Sequence, residues 1–420
     1  MKNTVAIVLA AGKGTRMKSE TPKVLHKILG KPIISYVLDA LKCAGITDIV
    51  TVAGHGSHLL KEVVKGSKVV VQKELLGSGD AVKTARKALA GYSGDVLVIC
   101  GDTPLIRSAT IRSIIETHKS SGASLTILTA KLKNPTGYGR ILRDDSGAVL
   151  KIVEEENASI YEEAVNEVNV GTYCFKAKDL FEALGEVKPD GKKKEFFLTD
   201  TIAILRKDAK PIEAVEVYDA GEMIGINSRR DLAEAAQTMK ARILDEIMAG
   251  GVTIEDPAST TIYEGVTIGP GSVIRPNTFI ESDVEIGRGC RIGPFTRIRP
   301  HVRIADNVEV GNFVELVRTK VGSGTKVKHH TYLGDTTVGR HVNIGAGTIT
   351  ANYDGKVKSK TVIEDKAFIG VGAILIAPVR VGKLAVVGAG CVVPKNHDVP
   401  KGATVVGVPA RLFKKGRVRR

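Results

Sequence analysis

The chain has 420 residues, about three times an ordinary domain, so two or more cores are expected and a small disulfide-stapled scaffold is excluded. Its formal net charge is +15, and residues 228–420 hold most of it, with 29 Lys and Arg against 18 Asp and Glu. The last ten residues, Arg411 to Arg420, carry +6; with aromatics at 4% and no basic recognition helix beside it, this tail reads as solvated rather than nucleic-acid binding, and phosphorylated small molecules are the expected acidic partners.

In chain order, residues 1–227 alternate β-rich runs (Val5 to Leu9, Ile49 to Val52, Val69 to Val71, Val96 to Cys100, Ser124 to Thr129) with helix-length amphipathic stretches, the rhythm of an α/β sheet. The apolar stretch Val5 to Ala11 is short and runs into Gly12-Lys13-Gly14 with no small-residue cleavage site, so it is not a signal peptide. No run reaches the roughly 20 apolar residues of a membrane span. The five cysteines (Cys43, Cys100, Cys174, Cys290, Cys391) form no CxxC pair, which predicts reduced thiols in a soluble, cytoplasmic chain without structural zinc. Ser228 to Met248 reads as one helix. Ser228 is the N-cap candidate, Leu232, Ala236, Met239, Ile243 and Ile247 form the apolar stripe, and Gly250-Gly251 end it. Such a helix spans roughly 30 Å and reads as a spacer between domains.

After Gly251 the pattern changes. Ile262, Ile268, Ile274, Ile280, Ile286, Ile292, Ile298, Ile304, Val310 and Leu316 fall six residues apart; the phase slips, resumes at Val321, Val327 and Leu333, slips again at Val338 and Ile344, and returns from Ile363 to Val399. A six-residue period fits neither a 3.6-residue helix nor a hairpin meander; it predicts a parallel β-helix with stacked aliphatic columns. One polar insertion, Ala351 to Lys360, interrupts it, and such insertions map to loops, often on a binding face. The expected domains are 1–227, a linker helix over 228–250, the coil over 251–408 and a basic tail over 409–420.

Leu9-Ala10-Ala11-Gly12-Lys13-Gly14-Thr15-Arg16-Met17 follows the first strand directly, so glycine lets backbone N–H groups approach a phosphate while Lys13 and Arg16 neutralise its charge. With Pro22-Lys23-Val24-Leu25 it resembles the signature of sugar-1-phosphate nucleotidyltransferases. Transfer between two polyanions calls for cations and a metal. Mg²⁺ prefers hard oxygens, which suits Asp102 in Cys100-Gly101-Asp102-Thr103-Pro104; the resemblance places a second metal ligand at Asn227. The chain as a whole resembles the bifunctional N-acetylglucosamine-1-phosphate uridyltransferase/glucosamine-1-phosphate N-acetyltransferase family. The resemblance implies a Rossmann-like first domain and puts catalytic charge on Lys23 and Arg16. It assigns the nucleotide to Leu9, Ala10, Ala11, Gly12, Lys13, Gln72, Gly77 and Ser78, and the sugar to Gly101, Gly139, Glu154 and Asn169, with Glu155 as a rival for Glu154. Spacing alone does not distinguish uridylyl from thymidylyl transfer.

For the coil the resemblance implies the left-handed type, about eighteen residues per turn, and homotrimers with active sites between adjacent coils. The motifs are Asn312-Phe313-Val314-Glu315, His329 to Asp335, Val342 to Thr350 and Asn352-Tyr353-Asp354-Gly355. Amide formation needs a base for the attacking amine, and imidazole suits neutral pH. His329 holds the family's base position; His329 and His330 as plain coil-surface residues is the alternative. Arg299, Tyr332, Asn343, Asn352 and Lys358 are implied for the phosphorylated acceptor, and Ala346, Tyr353 and Ala389 for acetyl-CoA. Three positions depart from the family: Val317 stands where a Lys holds the sugar phosphate, Val371 for a Ser, and Gly407 for an Arg at coenzyme A. Neighbouring Arg318 and Lys320 are the candidates to compensate; without compensation the acceptor phosphate loses one charge-assisted contact. The implied reactions are acetyl transfer to glucosamine 1-phosphate, then uridylyl transfer from UTP with Mg²⁺ to give UDP-N-acetylglucosamine. The competing readings give the coil another amino-sugar phosphate, or make it a trimerisation or binding scaffold.

Overall fold

The computed structural model describes residues 3–189 and 194–413; the basic residues beyond Phe413 lie outside them. Two compact units are present, Met1–Thr238 and Met239–Arg420, so their boundary falls inside the helix Arg229–Ala249. That helix starts on a reciprocal cap. Asp231 N–H donates to Ser228 Oγ at 3.2 Å, and Ser228 N–H donates to Asp231 Oδ2 at 2.8 Å. Its buried residues include Met239 and Ile243, as the stripe predicts, but Ala235 is buried rather than Ala236.

The first unit is built on a nine-stranded mixed sheet. Its path runs Ile212–Glu216, Leu125–Lys131, Glu167–Lys176, Asp95–Cys100, Thr4–Ala10, Ile49–Ala53, Lys68–Val71. The strand Ile49–Ala53 is buried throughout and Thr4–Ala10 nearly so, as strands covered on both faces must be. Separate apolar clusters fill the two faces, one around Ile34, Leu41, Ile111 and Ile115, the other around Val82, Phe175, Leu180 and Ile202. The last four strands of the path are parallel, and their carboxyl ends share one edge, where ligands bind in such sheets.

Glu167–Lys176 departs from the expected alternation: it runs antiparallel between two neighbours and bulges between Asn169 and Tyr173. A hairpin, Arg140–Arg143 with Val149–Val153, extends from it. Its turn is held by Asp144 Oδ1, which accepts from Ser146 N–H and Ala148 N–H, both at 3.0 Å.

The second unit is a coil of short parallel strands in three sheets of ten, eight and seven strands. Each turn visits each sheet once, so the repeated aliphatics stack in register: Ile274, Ile292, Val310, Val327, Ile344, Ile369, Val387 and Val405 pair in sequence, and all are buried. The register explains both phase slips. Val310 to Val327 and Val327 to Ile344 are turns of 17 residues, against 18 for Ile292 to Val310. Ile344 to Ile369 takes 25 because it contains the insertion. At the end of the coil Arg411–Leu412 folds back antiparallel onto Thr404–Val406, and Phe413 N–H donates to Thr404 O at 2.8 Å.

Candidate active sites

In the first unit the loop after Thr4–Ala10 opens onto a cleft of about 520 Å³. Leu9, Ala11, Gly12, Lys13, Gln72, Gly77 and Ser78 line it, together with Leu75, Ala81, Cys100 and Glu195. Seven of the eight residues expected at the nucleotide therefore share one cavity; Ala10 is buried behind it. Gln72 is itself buried, and its Nε2 donates to Gly77 O at 3.1 Å and Asp80 Oδ2 at 2.7 Å. With both amide hydrogens committed, its carbonyl oxygen is the group left to meet a ligand. Ser78 Oγ accepts from Leu198 N–H at 3.0 Å. Gly77 lies at φ 97°, and a Cβ there would sit 2.6 Å from Phe196 O. The segment Glu195 to Leu198 thus forms a wall that no motif in the sequence announced. A second cleft beyond Gly12 and Lys13 is lined by Thr15, Ser19, Thr21 and His55.

Lys23 Nζ is ion-paired with Asp102 Oδ2 and donates to Asn227 Oδ1 at 3.1 Å. Both partners are fixed by the fold: Ile226 N–H donates to Asp102 O at 2.9 Å, and Asn227 N–H to Asp231 Oδ2 at 2.8 Å. Two hard oxygens from positions 125 residues apart therefore converge on one cation. Arg16 lies in the short helix Thr15–Met17, and its charge is felt by Asp231. Gly101 N–H donates to Leu9 O at 2.8 Å, tying the Asp102 loop to the first strand. The Cys100 thiol beside it is pushed up to about 12 by burial and by the charge of Asp102.

Gly139, Glu154 and Asn169 also converge. Asn169 N–H donates to Gly139 O at 2.8 Å, and a Cβ on Gly139 would lie 3.3 Å from Glu154 Oε2. The Asn169 amide is held by the buried Tyr173 hydroxyl, with Nδ2 to Oη at 2.7 Å. Glu155 points elsewhere, accepting from Gly137 N–H and lying 3.6 Å from Arg140. The two neighbouring carboxylates are thus physically separated.

On the coil, His329 ends the strand Lys326–His329 and is exposed. Its Nδ1 lies 2.8 Å from Asn312 Oδ1, one turn earlier and in register. An amide oxygen accepts, so Nδ1 carries the hydrogen and Nε2 presents its lone pair. Asn312 appeared in the sequence motif without a role. His330 stacks on Phe313 at 5.0 Å, and Phe313 stacks on Phe295 at 5.4 Å, so its ring belongs to an aromatic ladder. Gly347 N–H donates to His329 O at 3.3 Å and Gly372 N–H to Ala346 O at 2.7 Å. A Cβ on Gly370 would lie 2.5 Å from Ala389 N. Ala346 and Ala389 therefore follow His329 up the same corner of the coil, as does Val371, 59% exposed.

Arg299, Tyr332 and Asn352 lie across the next sheet and its far corner. Arg299 Nη1 donates to Glu315 Oε1 at 3.2 Å. Tyr332 is in register with Glu315, and its Oη and Asn352 Nδ2 would lie 2.6 and 2.7 Å from a Cβ on Gly334. Asn343 pairs with Lys326 in the strand register of His329. Tyr353 is in the inserted loop, with Oη donating to Gly355 O at 2.6 Å, and bridges to Lys358. One coil therefore carries His329, Ala346 and Ala389 at one corner and Arg299, Tyr332 and Asn352 across the next sheet and its far corner, with Asn343 in the strand that leads to the first.

Among the described residues no helix is long and apolar enough to cross a membrane, and no cluster of three His, Cys, Asp or Glu side chains is poised around a metal position. Residues 5–222 match the family described as nucleotidyl transferase. Residues 283–318 match bacterial transferase hexapeptide (six repeats), and residues 360–395 the hexapeptide repeat of succinyl-transferase. The chain is 42% identical to the bifunctional protein GlmU of Pelobacter propionicus over 99% of this chain and 98% of that one. It is 42% identical to that of Shouchella clausii over the whole of both. With the bifunctional protein GlmU of Heliobacterium modesticaldum it shares 44% identity over 97% and 96%.

Proposed function

The chain belongs to the family of the bifunctional GlmU proteins, and from that membership we propose how its residues divide two reactions between two units. It is an enzyme that transfers an acetyl group from acetyl-CoA to glucosamine 1-phosphate and a uridylyl group from UTP to N-acetylglucosamine 1-phosphate, forming UDP-N-acetylglucosamine and pyrophosphate. We assign the second step of that sequence to residues 1–227 and the first to 251–408, joined through the helix, in a cytoplasmic homotrimer.

In uridylyl transfer the Gln72 carbonyl oxygen and the Gly77-Ser78 turn read the uracil ring, and Gly12, Lys13 and Arg16 hold the phosphates. Gly101, Gly139, Glu154 and Asn169 hold the sugar. The phosphate oxygen of the sugar phosphate bonds to the α-phosphorus as the bond to pyrophosphate breaks. Asp102 and Asn227 suit Mg²⁺: they are hard oxygens already gathered around one positive charge, and this ion takes few protein ligands beside phosphates. When bound it neutralises phosphate charge. Lys23, displaced from the pair or beside it, spreads positive charge along the transferring group. Burial and the charge of Asp102 keep Cys100 as the thiol, so it is not the nucleophile of this step.

In acetyl transfer His329 Nε2 takes the proton of the attacking amine, the C–N bond forms at the thioester carbonyl and the C–S bond breaks. Arg299, Tyr332, Asn343, Asn352 and Lys358 hold the acceptor; Ala346, Tyr353 and Ala389 meet acetyl-CoA. Because these groups occupy two corners of one coil, a neighbouring copy completes each site.

The observation that carries the first assignment is the convergence of Lys23 on Asp102 and Asn227. Asp102→Ala should abolish pyrophosphate release and leave thiol release from acetyl-CoA unchanged, while His329→Ala does the reverse. Loss of both activities in either variant would sink the separation. A coil acting only as a scaffold, the reading that apolar Val317 favours, would release no thiol with any amino-sugar phosphate.

A further inference from the structure

The irregular turns of the coil coincide at one corner. The six-residue spacing contracts to five from Leu316 to Val321 and from Leu333 to Val338. At those places the chain turns through Arg318 at φ 47° and Asp335 at φ 50°. The next turn carries Asn352 and the insertion at the same corner. Their side chains form a ladder over three turns: Arg318 Nε and Nη2 donate to the two oxygens of Asp335 at 2.5 and 2.8 Å, and Asn352 Nδ2 donates to Asp335 Oδ2 at 2.5 Å. A guanidinium has five N–H groups. Two are spent on Asp335, and the planar fork turns Nη1 away from that carboxylate, on a side chain 33% exposed.

The surroundings are those of an anion site. Tyr332 Oη and Asn352 Nδ2 both lie over Gly334, 2.6 and 2.7 Å from where a Cβ would stand. Val317, in register with Gly334, is 2% exposed and apolar. Arg299, one turn earlier, is paired with Glu315, and its buried Nε has no partner among the described residues. The charge of Lys358 reaches Asp335. Lys320, the other nearby cation, lies on the following sheet in register with Arg303 and Thr337.

We infer that Arg318 binds the phosphate of the amino-sugar acceptor with the unspent edge of its guanidinium, while Asp335 and Asn352 hold that fork in position. Asp335 is thus a positioning residue. This rests on the acetyl-transfer reading above. It makes the second site selective for a phosphorylated acceptor through a residue one place beyond Val317.

The test uses the full-length chain, with calorimetric binding of glucosamine 1-phosphate and of unphosphorylated glucosamine, and thiol release from acetyl-CoA. Arg318→Met should raise both Kd and KM for glucosamine 1-phosphate by about 10- to 100-fold, the loss of a charge-assisted contact. It should leave the KM for acetyl-CoA, glucosamine binding and pyrophosphate release unchanged. Arg318→Gln keeps a donor for Asp335 and removes only the charge, so it answers the question even if the Met variant fails to fold; the double variant Val317→Lys, Arg318→Gln should recover phosphate binding. Unchanged affinity in Arg318→Gln, or equal weakening for both sugars, overturns the inference and leaves acetyl transfer standing. Absence of thiol release from the native chain, with phosphate binding still dependent on Arg318, overturns acetyl transfer and leaves Arg318 as the phosphate ligand of a binding site without that chemistry.

Discussion

Asn312 does its work through another residue. By accepting from His329 Nδ1 it selects the tautomer whose other nitrogen can take a proton. Asn312→Ala should therefore lower kcat for acetyl transfer by about tenfold with little change in the KM for the acceptor, whereas a comparable rise in KM would place Asn312 on the substrate instead. Asp335 offers a pH signature. The Arg318 guanidinium holds its carboxyl below the usual carboxylate range. Since the folded value lies below the unfolded one, the stabilisation is complete above the unfolded value and is lost as pH falls through the folded one. Asp335→Asn should thus cost about 1 kcal/mol near neutral pH and progressively less in acid; melting curves showing an equal gap at both would refute the link. The turn after the first strand was legible because Gly12 gives backbone access and Lys13 a charge, whereas Gln72, Gly77 and Ser78 came only with the family resemblance; seven of the eight residues expected at the nucleotide meet in one cleft. What sequence left ambiguous was direction. Glu154 and Glu155 are adjacent letters, but only the fold turns one over Gly139 and the other toward Gly137.

Secondary structure was readable wherever one period ruled. Six-residue spacing predicted the coil, and its two slips became 17-residue turns rather than ends of the domain. Glu167–Lys176 escaped notice for physical reasons: Gly171 interrupts its alternation, and the charge of Glu167 is neutralised from the hairpin by Arg143 through bonds of 2.8 and 2.6 Å. Charges satisfied by a distant strand look like loop residues in a local reading. The start of the helix Ser78–Ala85 is equally a product of distant chain, because Gly77 is pressed against Phe196. A side chain there meets both a left-handed backbone and a carbonyl, strain of about 1 to 3 kcal/mol. Gly77→Ala should raise the KM for UTP while acetyl transfer keeps its native rate; an unchanged KM would show that this turn lies away from the nucleotide.

At the scale of the molecule, two compact units, each with buried apolar residues of its own, predict two unfolding events. Saturating UTP should raise the midpoint of one transition in scanning calorimetry and leave the other where it was; a single transition moving as a whole would contradict this. The sequence marks a division by its change of period after Gly251. The boundary inside Arg229–Ala249 was not legible there, since a continuous helix gives no local sign of where its neighbours change. The antiparallel return of Arg411–Leu412 carries a different consequence. A stack of rungs is a template whose last layer exposes unmet amide and carbonyl groups, ready to recruit another chain end to end. By reversing direction and covering Thr404–Val406, the chain blunts that rim on one of its three sides, and growth into a fibril loses one of its docking edges.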